Sequence, residues 1–300
     1  MIKLIATDLD GTLFYPKRRL TGMIKENKKF LKAFLNSGKD VLIASGRSTG
    51  MLSKLEKTLN HKLYFIGCNG SFIIDKNTKE ISNRRPLNRQ MMAKLFLTMR
   101  DRYSIFCWFA LDTSPNLYYH FDEKIPKYIT LGFKLGNFFN NFYREKVVSG
   151  KENLLNRLQC EDTFKLMPIF SFGKSSQVKT ERTYLAIKDI FQDELEIALA
   201  DGALEITSKG VNKGTGLKLF CKKYGIKEDE IIVIGDHHND ISMFRSFPHS
   251  FCMSHSSDDV KKYANHIVDY LYQIQDYLKD ESSLKNDIIK YPYRKDEIDI

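Results

Sequence analysis

The sequence predicts an α/β protein: a doubly wound, mainly parallel sheet interrupted by an inserted α+β unit. Three observations carry that expectation. Continuously apolar runs alternate with amphipathic stretches near the start of the chain, as they do when strands are covered on both faces. The alternation breaks near Pro86 into a helix, two strands, a variable middle, a second helix and two more strands. It resumes after Lys213. The expected division is therefore a core domain formed by residues 1–84 and 208–300, with an α+β domain, residues 85–207, inserted between the two parts.

Taken in order, Lys3 to Thr7 reads as the first strand. Thr21 to Asn36 carries Ile24, Leu31 and Leu35 at helical spacing, and Gly38 follows where a helix end favours a left-handed residue. Val41 to Ala44 is a second strand, Met51 to Leu59 a helix, and Leu63 to Ile66 a third strand. A short pair follows at Ser71–Ile74 and Glu80–Ile81. In the insert, Asn88–Met99 reads as helix and Ser104–Ala110 and Leu117–Phe121 as strands. Residues 122–163 show no legible order. Lys165–Phe172, Leu195–Leu199 and Ala203–Thr207 read as strands, and Thr180–Phe191 as a helix. Beyond it, Gly216–Tyr224 and Asp240–Phe247 are helical, and Asp258–Tyr263 forms a further helical stretch. Ile231–Ile234, Ser250–Met253 and His266–Val268 are strands. The last 20 residues are charged and weakly patterned, and loose packing is expected there.

The chain is 42% hydrophobic and 28% charged, which is ordinary for a globular protein. Its net charge of +10 suits an anionic partner, yet the lysines are scattered and no basic run is interleaved with stacking aromatics. A nucleic-acid groove is not expected. Five widely spaced cysteines without a C-x-x-C pair argue against zinc or a disulfide framework, and fit free thiols in a reducing compartment. Neither a secretory leader nor a run of about 18 apolar residues is present, so a cytoplasmic protein without a membrane partner is expected.

Four polar clusters each follow an apolar strand, where ligands collect in open α/β sheets. The first is Asp8-Leu9-Asp10-Gly11-Thr12. Two carboxylates this close repel unless a cation or a shared proton relieves them, and magnesium is a natural partner. Gly11 permits a sharp turn with backbone amides facing a phosphate. The second cluster is Ser45-Gly46-Arg47, offering a hydroxyl, an amide and a positive charge. The third is Lys213, which can neutralise phosphate or a nucleophile and is preferred over Lys209 because it opens a helix. The fourth runs from Gly235 to Asp240: Asp236 can complete a metal site, while Asn239 and Asp240 can bind phosphate or orient Lys213. His237 and His238 invite a zinc reading, but adjacent histidines rarely face one ion.

In this order and spacing the clusters resemble the haloacid dehalogenase superfamily, specifically its Cof-type phosphatases with a type IIB cap on a Rossmann-like core. The resemblance implies Asp8 as nucleophile and Asp10 as general acid/base. It implies magnesium on the Asp8 and Asp236 carboxylates and the Asp10 backbone carbonyl. Phosphate would be held by the Leu9 amide, Ser45, Gly46, Lys213 and Asn239, with Thr12, Arg47 and Asp240 supporting the loops. Two departures stand out: His237 occupies a position that is often small, and Cys252–Ser257 replaces a segment usually rich in small residues.

The expected function is magnesium-dependent hydrolysis of small phosphate monoesters, sugar phosphates or phosphorylated cofactors, through a phosphoaspartate. The insert would close over the site and choose the substrate. A sugar phosphomutase using the same aspartate and a non-catalytic phospho-ligand-binding protein are the alternatives. An ion pump does not fit a chain lacking spans. Phe106, Trp108, Tyr118 and Tyr119 either stack on a substrate ring or, as alternating strand residues do more often, form insert core.

Overall fold

A computed structural model describes residues 1–16, 22–103, 105–114, 116–121, 128, 131, 146–149, 151–170, 174–200 and 202–293. The chain forms two compact units: 1–46, 51–84 and 212–300 in the first, 47–50 and 85–211 in the second.

The first unit opens with β1 (Leu4–Thr7), α1 (Lys25–Asn36), β2 (Asp40–Ala44), α2 (Leu52–Leu59) and β3 (Tyr64–Gly67), then the hairpin strands β4 (Phe72–Ile74) and β5 (Ile81–Ser82). Every residue of β1 and β3 is buried, as continuous apolar runs require. Gly38 ends α1 with φ +80°.

The second unit holds α3 (Arg89–Arg102), β6 (Cys107–Leu111), β7 (Asn116–Phe121), β8 (Lys146–Ser149), α4 (Lys151–Cys160), β9 (Lys165–Ile169), α5 (Lys174–Phe191), β10 (Leu195–Ala200) and β11 (Ala203–Ser208). These strands form one sheet in the order β10-β11-β9-β6-β7-β8, antiparallel except where β7 meets β8. Helices pack on one face: Trp108 and Ala110 of β6 join Phe96, Leu154, Leu158 and Ile187. Trp108 is thus insert core, as is the helix-facing Tyr118, whereas Tyr119 and Phe106 belong to a smaller cluster with Cys107 and Ile169.

The chain returns to the first unit with α6 (Lys213–Tyr224), β12 (Ile231–Gly235), α7 (Ile241–Phe244), β13 (His249–Met253), α8 (Asp258–Lys261), β14 (His266–Val268) and α9 (Ile274–Lys279). Its sheet runs β14-β13-β12-β1-β2-β3-β4-β5, parallel from β14 to β3 and antiparallel beyond. Leu217 and Phe220 of α6 and Met243 and Phe244 of α7 pack on this sheet beside Ala6, Leu42 and Val233. The carboxyl ends of β1, β2, β3, β12 and β13 therefore lie along one edge.

Several local expectations need correction. Helix α6 begins at Lys213, the residue expected to open a helix, and not at the Gly216 bound, because Asn212 caps it by accepting from the Thr215 amide at 2.9 Å. The predicted helix from Asp240 is shorter, and a 3₁₀ turn over His238–Asp240 precedes it. Helix α4 lies within the stretch that showed no order, although Leu154 and Leu158 are spaced as helix core.

The closing stretch is anchored rather than loose over its described part. The Asp287 carboxylate meets His249 Nδ1 at 3.0 Å and His266 Nε2 at 2.9 Å, Arg245 donates to the Tyr291 carbonyl at 2.9 Å, and Leu284 is buried. Such polar anchors leave no periodic signature. Thr21, Ser104 and 171–172, at the ends of predicted elements, lie outside the described residues, as do most of 122–150 and all of 294–300.

Candidate active site

Asp8 is the first residue beyond β1, and its amide donates to the Ile234 carbonyl of β12 at 3.0 Å. That bond extends the parallel ladder by one rung and fixes where the carboxylate leaves the sheet. The chain then winds through an irregular turn, Leu9–Leu13, in which Gly11 adopts φ +83°. A Cβ at Gly11 would lie 2.2 Å from Asp236 Oδ2, so only glycine lets the loop pass that carboxylate. Thr12 Oγ1 donates to the other oxygen, Asp236 Oδ1, at 2.8 Å. The β1 and β12 loops are thereby tied together.

Lys213, the first residue of α6, is fully buried. Its Nζ donates to Asp8 Oδ1 at 2.7 Å and to Asp240 Oδ1 at 2.6 Å. Asp240 Oδ2 accepts the amides of Asp236 and His237, each at 3.0 Å. Both oxygens of Asp240 are thus engaged, and this residue holds the lysine and shapes its own loop. Ser242 accepts from the Gly214 amide at 3.0 Å, which docks the start of α6 on the same loop.

Asp8, Asp236 and Asp240 carry carboxylate oxygens within 4.8 Å of one another. Among the described residues one ammonium, Lys213, pairs with this cluster, and charge balance favours further cation. Burial pushes the Asp8 carboxyl well above its ordinary range; Lys213 opposes this, while Asp240, Asp236 and Asp10 reinforce it. For Lys213, burial works against the charge, but Asp240 and Asp8 outweigh it and raise its pKa. The site holds its ammonium firmly and its nucleophile candidate under electrostatic load.

Residues 5–273 match the haloacid dehalogenase-like hydrolase family. The chain belongs to that family. A Buchnera aphidicola protein named "Putative phosphatase" is 28% identical over 271 residues, 87% of this chain and 88% of its own. A haloacid dehalogenase-like hydrolase from Bacteroides thetaiotaomicron has the same fold, with a TM-score of 0.73, 20% identity and coverage of 93% of this chain and 100% of its own. A solved HAD subclass IIB sugar phosphatase shares it too, at TM-score 0.70 and 19% identity, over 92% and 99% of the two chains. The haloacid dehalogenase core and the enzyme class, a phosphoric monoester hydrolase, follow from the family.

In this member the cation fit rests on donor chemistry. Asp8 and Asp236 present hard oxygens, the type magnesium takes, and their mutual repulsion is what a divalent ion would relieve. Asp10 is partly buried and is not a member of the carboxylate cluster; its expected contribution was a backbone carbonyl. His238 turns to Asp259 on the surface, Nε2 to Oδ2 at 2.5 Å, which removes it from the zinc reading.

The remaining expected residues fall at the same sheet edge or beside it. Leu9 and Ser45 are buried, the Ser45 amide donates to Ile66 at 2.9 Å, and Gly46 follows directly. Arg47 is half-buried and groups with the second unit. Asn239 donates to Asn69 Oδ1 at 3.3 Å.

Three contributors escaped the sequence reading. Asn69, at φ +59°, joins the β2 and β12 loops, since its amide also donates to Ser45 at 3.0 Å. Asn212 and Ser242 set the start of α6. The signal for Asn69 was present, because Cys68-Asn69-Gly70 follows an apolar strand of the same parallel sheet.

Proposed function

We infer that the chain is a magnesium-dependent phosphatase of small phosphorylated metabolites, acting through a phosphoaspartate on Asp8. The observation that carries this reading is the triangle in which buried Lys213 bridges Asp8 and Asp240 beside Asp236. Sugar phosphates are the substrate class we favour, supported by the fold shared with the subclass IIB sugar phosphatase.

In the first step an Asp8 carboxylate oxygen attacks phosphorus, and the bond from phosphorus to the leaving oxygen breaks. Asp10 gives that oxygen its proton. In the second step Asp10 takes a proton from water, whose oxygen attacks phosphorus. The Asp8–phosphoryl bond breaks, and inorganic phosphate and free Asp8 result. Lys213 holds the Asp8 carboxylate in one orientation and adds positive charge beside the transferred group. Ser45 and the amides of Leu9 and Gly46 offer donors to its oxygens. Asp8 and Asp236 would hold magnesium, which when bound offsets their charge and that of the phosphoryl group.

Purified protein is expected to release phosphate from an aryl phosphate only with magnesium, and Asp8→Asn to lower the rate at least about a thousandfold. Equal rates for the two proteins, or full activity in excess chelator, would refute the assignment. Isomerised sugar phosphate without free phosphate would point to a mutase instead.

A further inference from the structure

We propose that Asn69 is a positioning residue for phosphoryl transfer, which holds the Gly46 amide and the Asn239 side chain in register on one phosphorus. The inference rests on the reading of Asp8 as nucleophile and of those two groups as phosphate donors. Asn69 is buried in the tight turn that joins β3 to β4. Its amide donates to the Ser45 carbonyl at 3.0 Å, and its side-chain oxygen accepts from Asn239 Nδ2 at 3.3 Å.

Each bond sets a direction. A peptide unit is planar and trans, so its carbonyl and its N–H point opposite ways. With the Ser45 carbonyl drawn toward Asn69, the Gly46 N–H is aimed away from it. The second bond fixes the plane of the Asn239 side-chain amide. Ser45 follows β2 and Asn239 follows β12, and these two strands flank β1, whose end carries Asp8. Asn69 therefore ties together the loops on either side of the nucleophile, and does so from a third loop. It spans the three strand spacings from β3 to β12, about 14 Å.

The turn is itself anchored. The Ser71 amide donates to the Gly67 carbonyl at 3.0 Å, and Ser71 Oγ to the Cys68 carbonyl at 2.8 Å. A Cβ at Gly70 would lie 2.2 Å from the Asn212 carbonyl oxygen, so the turn is seated on the residue that caps the helix of Lys213. During transfer, charge spreads over three equatorial oxygens of a five-coordinate phosphorus. Donors held in register stabilise that arrangement more than a tetrahedral ground state, which can shift to suit them. Loss of the Asn69 side chain should therefore act on the rate of transfer more than on substrate affinity.

The test uses the full chain with saturating Mg2+ and an aryl phosphate. Asn69→Gly keeps an amide facing Ser45 and a residue that accepts φ +59°, and removes the side-chain bond to Asn239. Its kcat should fall about ten- to thirtyfold with KM within about threefold of wild type. The inhibition constant of orthovanadate, which mimics five-coordinate phosphorus, should rise by about the factor that kcat falls. That of inorganic phosphate should change by no more than about threefold. Asn239→Ala and the double variant should turn over within about twofold of each other, because the Asn69 side chain acts through Asn239.

Unchanged kcat and vanadate inhibition in Asn69→Gly would overturn the role of Asn69 and leave Asp8 standing as nucleophile. A raised KM with kcat unchanged, or losses that multiply in the double variant, would overturn it equally. Wild-type protein that releases no phosphate with Mg2+ would overturn both readings. Should Asn69→Gly not fold, Asn69→Ala loses the same bond and meets the same measurements.

Discussion

Lys213 in the first unit and Lys165 in the second are alike by simple measures. Both are essentially fully buried, and both are ion-paired, Lys213 with Asp8 and Asp240 and Lys165 with Glu205. Their settings differ. Lys165 begins β9 and faces a strand neighbour within an antiparallel sheet. Lys213 opens a helix beside the carboxyl ends of parallel strands, among more carboxylates than it can neutralise. Burial and pairing therefore do not by themselves mark a reaction centre. The proposed centre rests instead on an acidic surplus at the edge of a parallel sheet.

The comparison breaks most readily by neutralising each lysine. Lys213→Met should lower phosphate release by about a hundred- to a thousandfold and destabilise the metal-free protein by about 3–5 kcal/mol. Lys165→Met should cost a comparable amount of stability, because it removes the buried ammonium that pairs with Glu205, yet leave phosphate release from an aryl phosphate unchanged. Rate assays and denaturant titrations on the pair measure both. Equal loss of turnover would erase the distinction.

A smaller effect sharpens the role of the β1 loop. Gly11→Ala forces its methyl into Asp236 and strains a residue at φ +83°. Divalent-ion affinity should fall about ten- to a hundredfold by calorimetry, with a stability loss of about 1–2 kcal/mol.

The smallest effect is a pH dependence. The folded state raises the Asp8 pKa above its ordinary 3.8, so above that pH the folded protein keeps a proton that the unfolded chain gives up. Stability of the metal-free protein from this group is full below about 3.8 and is lost as pH rises through the raised value. The slope is at most about 1.4 kcal/mol per pH unit. Saturating magnesium should flatten it, and thermal melts across pH with and without the ion would reveal a contrary trend.

The first unit was legible because parallel topology couples strand order to site location. Apolar runs ending at Asp8, Ala44 and Ile234 place their following residues on one edge without knowledge of any contact. What escaped was whatever depends on loop conformation. Asn69 acts through a left-handed backbone and a side-chain bond to Asn239, and neither has a periodic signal. In the second unit, alternation gave the strands β6 and β7 but not the buried pair of Arg157 with Asp112 at 2.9 Å, since charged residues in a pattern normally mean a solvated face. The closing stretch failed for the same reason, being anchored by Asp287 and not by an apolar stripe.

The central claim, covalent transfer to Asp8, is tested most directly by rapid acid quenching of the protein turning over a substrate labelled on its phosphoryl group. Label should remain on wild-type protein, map to the peptide carrying Asp8, leave on treatment with hydroxylamine and be absent from Asp8→Asn. Phosphate release at an undiminished rate with no label ever held by the protein would contradict the account.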